Sequence, residues 1–278
     1  MKSRIISALI GIAVFIPIIV FSDTILLPIA ATAFSALAVV ELFRCIGASR
    51  KYMFLTVSLL FAVAFPLLVG FFTEDILSYV GMMALIACAY FTVMFCVLVF
   101  RTGKERFSVV AQMTVGTLYT TAGFTALVLL RELEHGFYLF LMPFFIAWMT
   151  DIMAYFSGRF FGKHKLCPAV SPKKTVEGAL GGLLLGSGVC LLAVFVLDRL
   201  SLVSPNYWFL IVTCLLLSAL SQIGDLFASL IKREYGVKDF GNIMPGHGGV
   251  LDRFDSVLFI TTIIFLIAGT TSLPPFFF

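Results

Sequence analysis

The chain has 278 residues, of which 61% are hydrophobic and only 12% charged, whereas about 25% of a soluble globular domain is charged. A mean hydropathy of +1.09 excludes a water-soluble globular fold and makes lipid the main solvent. The formal net charge of +4 is informative only through where the basic residues stand relative to the apolar runs.

Crossing the ~30 Å hydrocarbon core takes ~20 mostly apolar residues at ~1.5 Å rise per residue. Runs of that kind begin near residues 5, 25, 52, 77, 108, 137, 178, 207 and 254, which predicts an all-α, polytopic transmembrane helical bundle of about nine spans. The first run, Ile5 to Phe21, follows Lys2 and Arg4 in the manner of a signal peptide. It is longer than a usual apolar signal core, however, and no small-x-small cleavage site precedes Ser22-Asp23-Thr24. A retained span is expected, joined to the second by a tight or partly re-entrant hairpin. Connections are short except at Arg159 to Glu177 and Lys232 to Arg253.

With the N-terminus in the cytoplasm, every basic residue except Arg131 and Arg199 falls inside, and Glu74, Asp75, Glu132, Glu134 and Asp198 fall outside. An odd number of spans then puts the C-terminus outside and both long connections on the cytoplasmic side, where they can form one site. No internal repeat is visible. The economical organisation is a single integral membrane domain, 1–278, in which 1–136 supply mainly N-terminal spans and 137–278 supply the spans and cytoplasmic loops of a catalytic site. The cysteines, Cys45, Cys88, Cys96, Cys167, Cys190 and Cys214, form no C-x-x-C pair and mostly sit in apolar runs, so they read as scattered thiols rather than a metal or disulfide framework.

The first long connection and the span before it run Thr150-Asp151-Ile152-Met153-Ala154-Tyr155-Phe156-Ser157-Gly158-Arg159, then, after a gap, Ser171-Pro172-Lys173-Lys174-Thr175-Val176-Glu177-Gly178. Eight residues of helix set Asp151 about 12 Å deeper than Arg159, a costly place for a carboxylate unless it faces protein, water or a cation. Pairing with Arg159 or polar helix packing is the plainer account of it. Ser171-Pro172-Lys173-Lys174 suits a phosphate clamp, a turn exposing backbone N–H groups beside two ammonium groups, and equally suits ordinary inner-side positive charge. Gly158 to His164 is a near miss for a P-loop, lacking a spacer and the Ser or Thr after Lys163. Gly178, Gly182 and Gly186 recur every fourth residue, which points to close helix packing.

On the eighth span, Ser218, Ser221, Asp225, Ser229 and Lys232 align along one face at steps of three and four. Such a stripe is expected to face a wet cleft, the alternative being a buried packing seam. Beyond it, Pro245, Gly246, Gly248 and Gly249 allow sharp bends and close approach to a ligand, and Asp252 and Asp255 share a helix face. Several carboxylates among Lys and Arg near the bilayer surface suit a magnesium-bound polyphosphate, because Mg²⁺ takes oxygen ligands from one or two carboxylates plus substrate phosphates. His247 is either a loop hydrogen-bonding group or a base. There is no H-E-x-x-H of a zinc protease.

The run Ser229-x-Ile231-Lys232-Arg233, then Lys238-Asp239-x-Gly241, then Pro245-x-His247-Gly248-Gly249-Val250-x-Asp252-Arg253-Phe254-Asp255 resembles the signature of the phosphatidate cytidylyltransferases, also called CDP-diacylglycerol synthases. Met244 stands where that pattern usually has Leu, Ile or Phe, a swap that keeps volume. The resemblance extends to Ser171-Pro172-Lys173-Lys174-Thr175-x-Glu177-Gly178 and Gly224-Asp225-Leu226-x-x-Ser229, roughly the C-terminal half; the N-terminal spans match only as generic apolar helices. It implies transfer of CMP from CTP to phosphatidate, giving CDP-diacylglycerol and pyrophosphate with Mg²⁺ required. It implies further that Asp225 and Asp252 are metal-binding carboxylates, in a centre that can include a second, monovalent cation such as K⁺.

Beyond those two, Asp255 is expected to be an additional or supporting metal ligand. Lys173, Lys232, Arg233 and Lys238 are expected to hold phosphates, and His247, Asp239 and Asp151 to orient neighbours or assist deprotonation. Ser171, Lys174, Ser229, Gly248, Gly249 and Arg253 complete the expected substrate contacts. CTP, phosphatidate and membrane lipid are the expected partners, with no nucleic acid, and a homodimer is implied by the resemblance alone. The expected location is a bacterial inner membrane with the site facing the cytoplasm. A CTP-dependent lipid kinase, or a secondary transporter with intramembrane carboxylates, would use similar residues. A CDP-alcohol phosphotransferase is disfavoured by the absence of D-G-x-x-A-R spacing.

Overall fold

The computed structural model describes residues 2–71, 76–101, 103–243, 246, 248–269 and 276–277. Lipid offers backbone groups no hydrogen-bond partner, so apolar runs fold as helices, which satisfy N–H and C=O internally. Nine helices form among the described residues: α1 (Lys2–Val20), α2 (Leu26–Cys45), α3 (Tyr52–Phe71), α4 (Ile76–Phe100), α5 (Phe107–Glu132), α6 (Gly136–Phe161), α7 (Val176–Arg199), α8 (Tyr207–Glu234) and α9 (Leu251–Gly269). Each begins within about three residues of the expected start. Six of them (α2, the Gly81–Phe100 part of α4, α5, α6, α7 and α8) are long and apolar enough to cross a bilayer. In α9 the first two turns carry Asp252, Arg253 and Asp255, which sets it apart by composition. The protein is an all-α polytopic membrane protein. Glu74 and Asp75, and the signature residues Met244, Pro245 and His247, lie outside the described residues.

The stretch expected to be a phosphate-binding turn is instead extended. β1 (Lys165–Cys167) pairs antiparallel with β2 (Ser171–Thr175), Lys165 opposite Thr175 and Cys167 opposite Ser171, with a bulge between. The turn falls earlier, at Pro168 to Val170, where the Val170 N–H donates to the Cys167 carbonyl at 3.2 Å. Pro172 is tolerated because a two-stranded ribbon has only edge strands. The base of the ribbon is tied to α7: the Glu177 carboxylate accepts from the backbone N–H groups of Lys163 (3.1 Å) and His164 (3.2 Å) and meets His164 Nδ1 at 2.6 Å. Thr175 caps α7, its Oγ1 accepting from the Gly178 N–H at 3.1 Å.

The chain divides into two compact units. The first comprises Met1–Leu129 with Tyr235–Phe254, so the middle of the signature segment groups with the N-terminal spans, while its ends, Ser229 to Arg233 and Asp255, belong to the second unit. Side chains at both ends of Tyr235–Phe254 explain this. The Tyr235 hydroxyl donates to Gln112 Oε1 of α5 at 2.5 Å, and the Phe254 ring sits 5.2 Å from that of Phe124 and 5.5 Å from that of Phe34. In this unit α2 lies along α3, and α3 along α4. Helix α5 is the most enclosed, with 72% of its apolar window buried. A methyl at Gly116 of α5 would overlap Leu42 of α2, and Ser35 Oγ donates to Thr121 Oγ1 at 3.3 Å.

The second unit comprises Leu130–Glu234 with Asp255–Phe278. Helix α6 packs on α7 and α8. A methyl on Gly182 would lie 2.8 Å from Ala154 Cβ and 2.9 Å from the Thr150 carbonyl oxygen, and one on Gly186 would lie 2.8 Å from Thr150 Cα, so the four-residue glycine spacing is a packing face. Across the same seam the hydroxyls of Thr150 and Ser218 share a hydrogen bond of 2.9 Å, and Ser218 reaches the Gly182 carbonyl at 3.3 Å. A short π-helical turn, Gly182–Gly186, interrupts α7 at this point. All six cysteines are free thiols.

Candidate active site

In the second unit the polar stripe on α8 divides. Ser218 and Ser221 are fully buried, a packing seam rather than the expected wet face, because α7 approaches closely enough for Gln222 Nε2 to donate to the Ala179 carbonyl at 3.2 Å. Asp225 and Ser229, further along, are only half-buried. A methyl at Gly224 would come within 2.6 Å of Phe259 Cβ, so the glycine beside Asp225 lets α8 sit against α9.

The Asp225 carboxylate forms an ion pair with Lys174, their side chains 28% and 26% exposed. Asp151 of α6 is exposed and lies within electrostatic reach of both. The pairing considered for Asp151 does not form: Arg159 donates instead to the Tyr155 hydroxyl at 3.1 Å. Two carboxylates and one ammonium group thus gather where the ribbon meets α6 and α8. Lys173 is exposed and Ser171 half-buried on the same strand. Arg233 Nε donates to the Val170 carbonyl at 3.4 Å, holding the turn of the ribbon to the end of α8. Gly158 to Lys163 ends a helix rather than joining a strand to one, which removes the P-loop resemblance.

Lys232 and Asp255 face each other at 3.8 Å with side chains only 10% and 9% exposed. This is a buried ion pair linking the end of α8 to the start of α9, and both groups are turned from solvent.

In the first unit Asp252, in the opening turn of α9, is held by backbone. Its Oδ2 accepts from the N–H groups of Phe240 (2.8 Å), Gly241 (3.4 Å) and Gly249 (2.9 Å). Gly248 has φ +84°, and a side chain there would press on Asp252 at 2.9 Å, which explains a glycine at that position. Gly249 is buried and its N–H is given to Asp252. Lys238, Asp239 and Arg253 are exposed around this loop.

One residue that braces the loop lies outside the signature. Glu41, on α2, is fully buried and accepts from the N–H groups of Val250 (3.0 Å) and Leu251 (2.9 Å). The rule applied to Asp151, that a carboxylate within an apolar run needs a partner, applies equally to Glu41 between Val40 and Leu42 and would have found it. Glu177, which fixes the ribbon, stands in the sequence only as a member of the Ser171 to Gly178 motif.

No three His, Cys, Asp or Glu residues among the described residues converge as a protein-only metal cage. Mg²⁺ does not need one, since it commonly takes one or two carboxylates and completes its shell with phosphate and water oxygens. The donors fit that pattern. Asp225 already engages a cation, the Lys174 ammonium, and Asp252 is a carboxylate whose direction is fixed by three N–H groups.

Comparison with known proteins extends the likeness beyond the C-terminal half. Residues 2–270 match the cytidylyltransferase family. A phosphatidate cytidylyltransferase of Staphylococcus haemolyticus is 34% identical over 270 residues, covering 95% of this chain and 97% of the relative. Proteins of the same name from Staphylococcus saprophyticus and Staphylococcus aureus are each 35% identical over 269 residues at the same coverage. A transporter is thereby set aside: the chain belongs to the phosphatidate cytidylyltransferase family and is a membrane-embedded nucleotidyltransferase.

Proposed function

We propose that the chain transfers CMP from CTP to phosphatidate, forming CDP-diacylglycerol and pyrophosphate with Mg²⁺, at the cytoplasmic face of a bacterial inner membrane. The observation that carries this is the gathering of Asp151, Lys174 and Asp225 where the ribbon meets α6 and α8, in a chain similar over 95% of its length to relatives of that name. Phosphatidate presents its phosphate at the level where these helices end, and CTP arrives from water. The inner-side bias of Lys and Arg supports the orientation.

In the proposed reaction a phosphatidate oxygen forms a bond to the α-phosphorus of CTP while the bond from that phosphorus to the bridging oxygen breaks, releasing pyrophosphate. A phosphomonoester has its second pKa near ~6, so the nucleophile is largely ionised near neutrality and needs no strong base. Positioning and charge neutralisation then supply most of the rate. Lys173 and Lys174 are assigned to phosphate oxygens, and Lys238 and Arg253 are available on the Asp252 loop. Asp225 and Asp252 are each assigned as a cation-holding carboxylate, and Mg²⁺ bound to such a group would spread the charge of the transferring phosphate. Asp255, already paired with Lys232, supports rather than ligates.

CTP labelled in its α-phosphate tests the proposal. Purified protein with phosphatidate and Mg²⁺ is expected to place label in the lipid, and EDTA is expected to abolish the transfer. Label reaching lipid only from the γ-phosphate would make the enzyme a CTP-dependent lipid kinase. Unlabelled lipid from both substrates would refute transfer to phosphatidate.

A further inference from the structure

Helix α9 begins at Leu251, directly after a glycine pair and Val250, none of which has a side-chain oxygen to cap it. The first N–H groups of a helix have no intrahelical acceptor, and burying them unsatisfied is destabilising. Here the acceptor comes from 209 residues away: Glu41 Oε1 takes the Val250 N–H and Glu41 Oε2 takes that of Leu251. Both carboxylate oxygens are used, the whole residue is buried, and negative charge at a helix N-terminus is favourable.

What surrounds the carboxyl group ties it to Asp252. A methyl on either Gly241 or Gly249 would overlap the Glu41 carboxyl group, so these glycines bracket it from both sides of the loop. The same two residues, with Phe240, donate their N–H groups to Asp252 Oδ2. The loop is therefore wound around two carboxylates at once: Gly241 and Gly249, two of the three residues that donate to Asp252, pack on Glu41, and Val250 and Leu251, which lie between Gly249 and Asp252, bond to it. Two glycines of the signature are thus accounted for by Glu41, a residue outside that signature.

We infer that Glu41 is a positioning residue for nucleotidyl transfer, acting through Asp252 by fixing the Gly249–Asp252 turn. The inference rests on the assignment of Asp252 as a cation-holding carboxylate. In Glu41→Gln an amide nitrogen replaces one acceptor and faces a backbone N–H, so the turn loses one of its two anchors while side-chain volume is kept. Loss of one charge-assisted acceptor, and displacement of a site group by under ~1 Å, correspond to roughly 10- to 100-fold in rate.

The test uses the full-length protein in detergent, with Glu41→Gln, Glu41→Asp and, as a control carboxylate of the same unit paired with Lys51, Glu105→Gln. Hydrogen exchange at Val250 and Leu251 is expected to accelerate by about 10-fold or more in Glu41→Gln, with α2 unchanged. Per folded molecule, kcat should fall roughly 10- to 100-fold and the Mg²⁺ concentration for half activity should rise, while KM for phosphatidate stays put. Glu41→Asp, which keeps both oxygens, should recover part of the loss. Unchanged kcat and Mg²⁺ midpoint in either folded Glu41 variant would overturn the inference, as would a loss shared by Glu105→Gln or failure of both Glu41 variants to fold, which would make the residue structural only. If exchange accelerates but the wild type shows no α-label transfer, the turn is held as described and it is the proposed reaction that fails.

Discussion

Asp252 and Asp225 are anchored by different chemistry. Asp252 is gripped by three backbone N–H groups of its own loop, with Glu41 bracing the next turn. Asp225 is paired with the ammonium group of a lysine on a two-stranded ribbon, both side chains about a quarter exposed. Backbone donors cannot leave without unwinding the loop, whereas a partly exposed lysine exchanges partners at little cost, since such pairs contribute only ~0–1 kcal/mol. The first carboxylate is built to keep its direction. The second is held by a single partly exposed partner.

Replacing each carboxylate by its amide gives the largest effects and separates the two. Asp252→Asn and Asp225→Asn should both lower kcat by at least about 100-fold, the scale for removing a group that stabilises transition-state charge. Their stabilities should part company. Asp252→Asn puts an amide where Oδ2 collects N–H groups and should cost about 2 kcal/mol in denaturant melts, while Asp225→Asn should cost under ~1 kcal/mol. Full activity in either variant would remove that residue from the site, and equal destabilisation would erase the contrast in anchoring.

The buried pair Lys232 and Asp255 gives a second comparison within the unit that holds Asp225. Removing one partner from a buried pair commonly costs about 3–5 kcal/mol, whereas replacing both with apolar groups of similar size is often near neutral. Lys232→Met should therefore destabilise strongly, and Lys232→Met with Asp255→Leu should regain most of the melting temperature. If the double variant is also fully active, neither group touches phosphate or metal. If it is stable and inactive, the pair has a chemical role as well.

The smallest effect is expected at Lys174. Lys174→Gln should leave stability within ~1 kcal/mol of wild type and raise KM for CTP several-fold, with Lys174→Arg intermediate. A large loss of stability would show that the ribbon depends on the Asp225 pair rather than on its Glu177 tie.

The helical frame was legible because lipid allows few structures. A run of apolar residues long enough to span must be helical, and the starts found from hydropathy alone lie within about three residues of the observed ones. Gly178, Gly182 and Gly186 were also legible as a packing face, since four-residue spacing fixes one side of a helix. The ribbon was not. Ser171-Pro172-Lys173-Lys174 has neither the β-branched content nor the alternation of a strand, and its extended form is framed by Glu177 holding Lys163 and His164.

Sequence by itself determined that this is a polytopic helical membrane protein with its unusual charges in the second half, and the residues from Ser229 to Asp255 carried its resemblance to a known family. Only the tertiary structure decided which partner each of these charges takes. It buried Ser218 and Ser221 in a seam, turned Lys232 and Asp255 toward each other, gave Asp225 to Lys174, and drew Glu41 of α2 to the turn that aims Asp252. Hydropathy and helical period are local properties that lipid reads directly along the chain. The partner of a buried charge depends on which backbone and side chains arrive from elsewhere, and for Glu41 that partner lies 209 residues away.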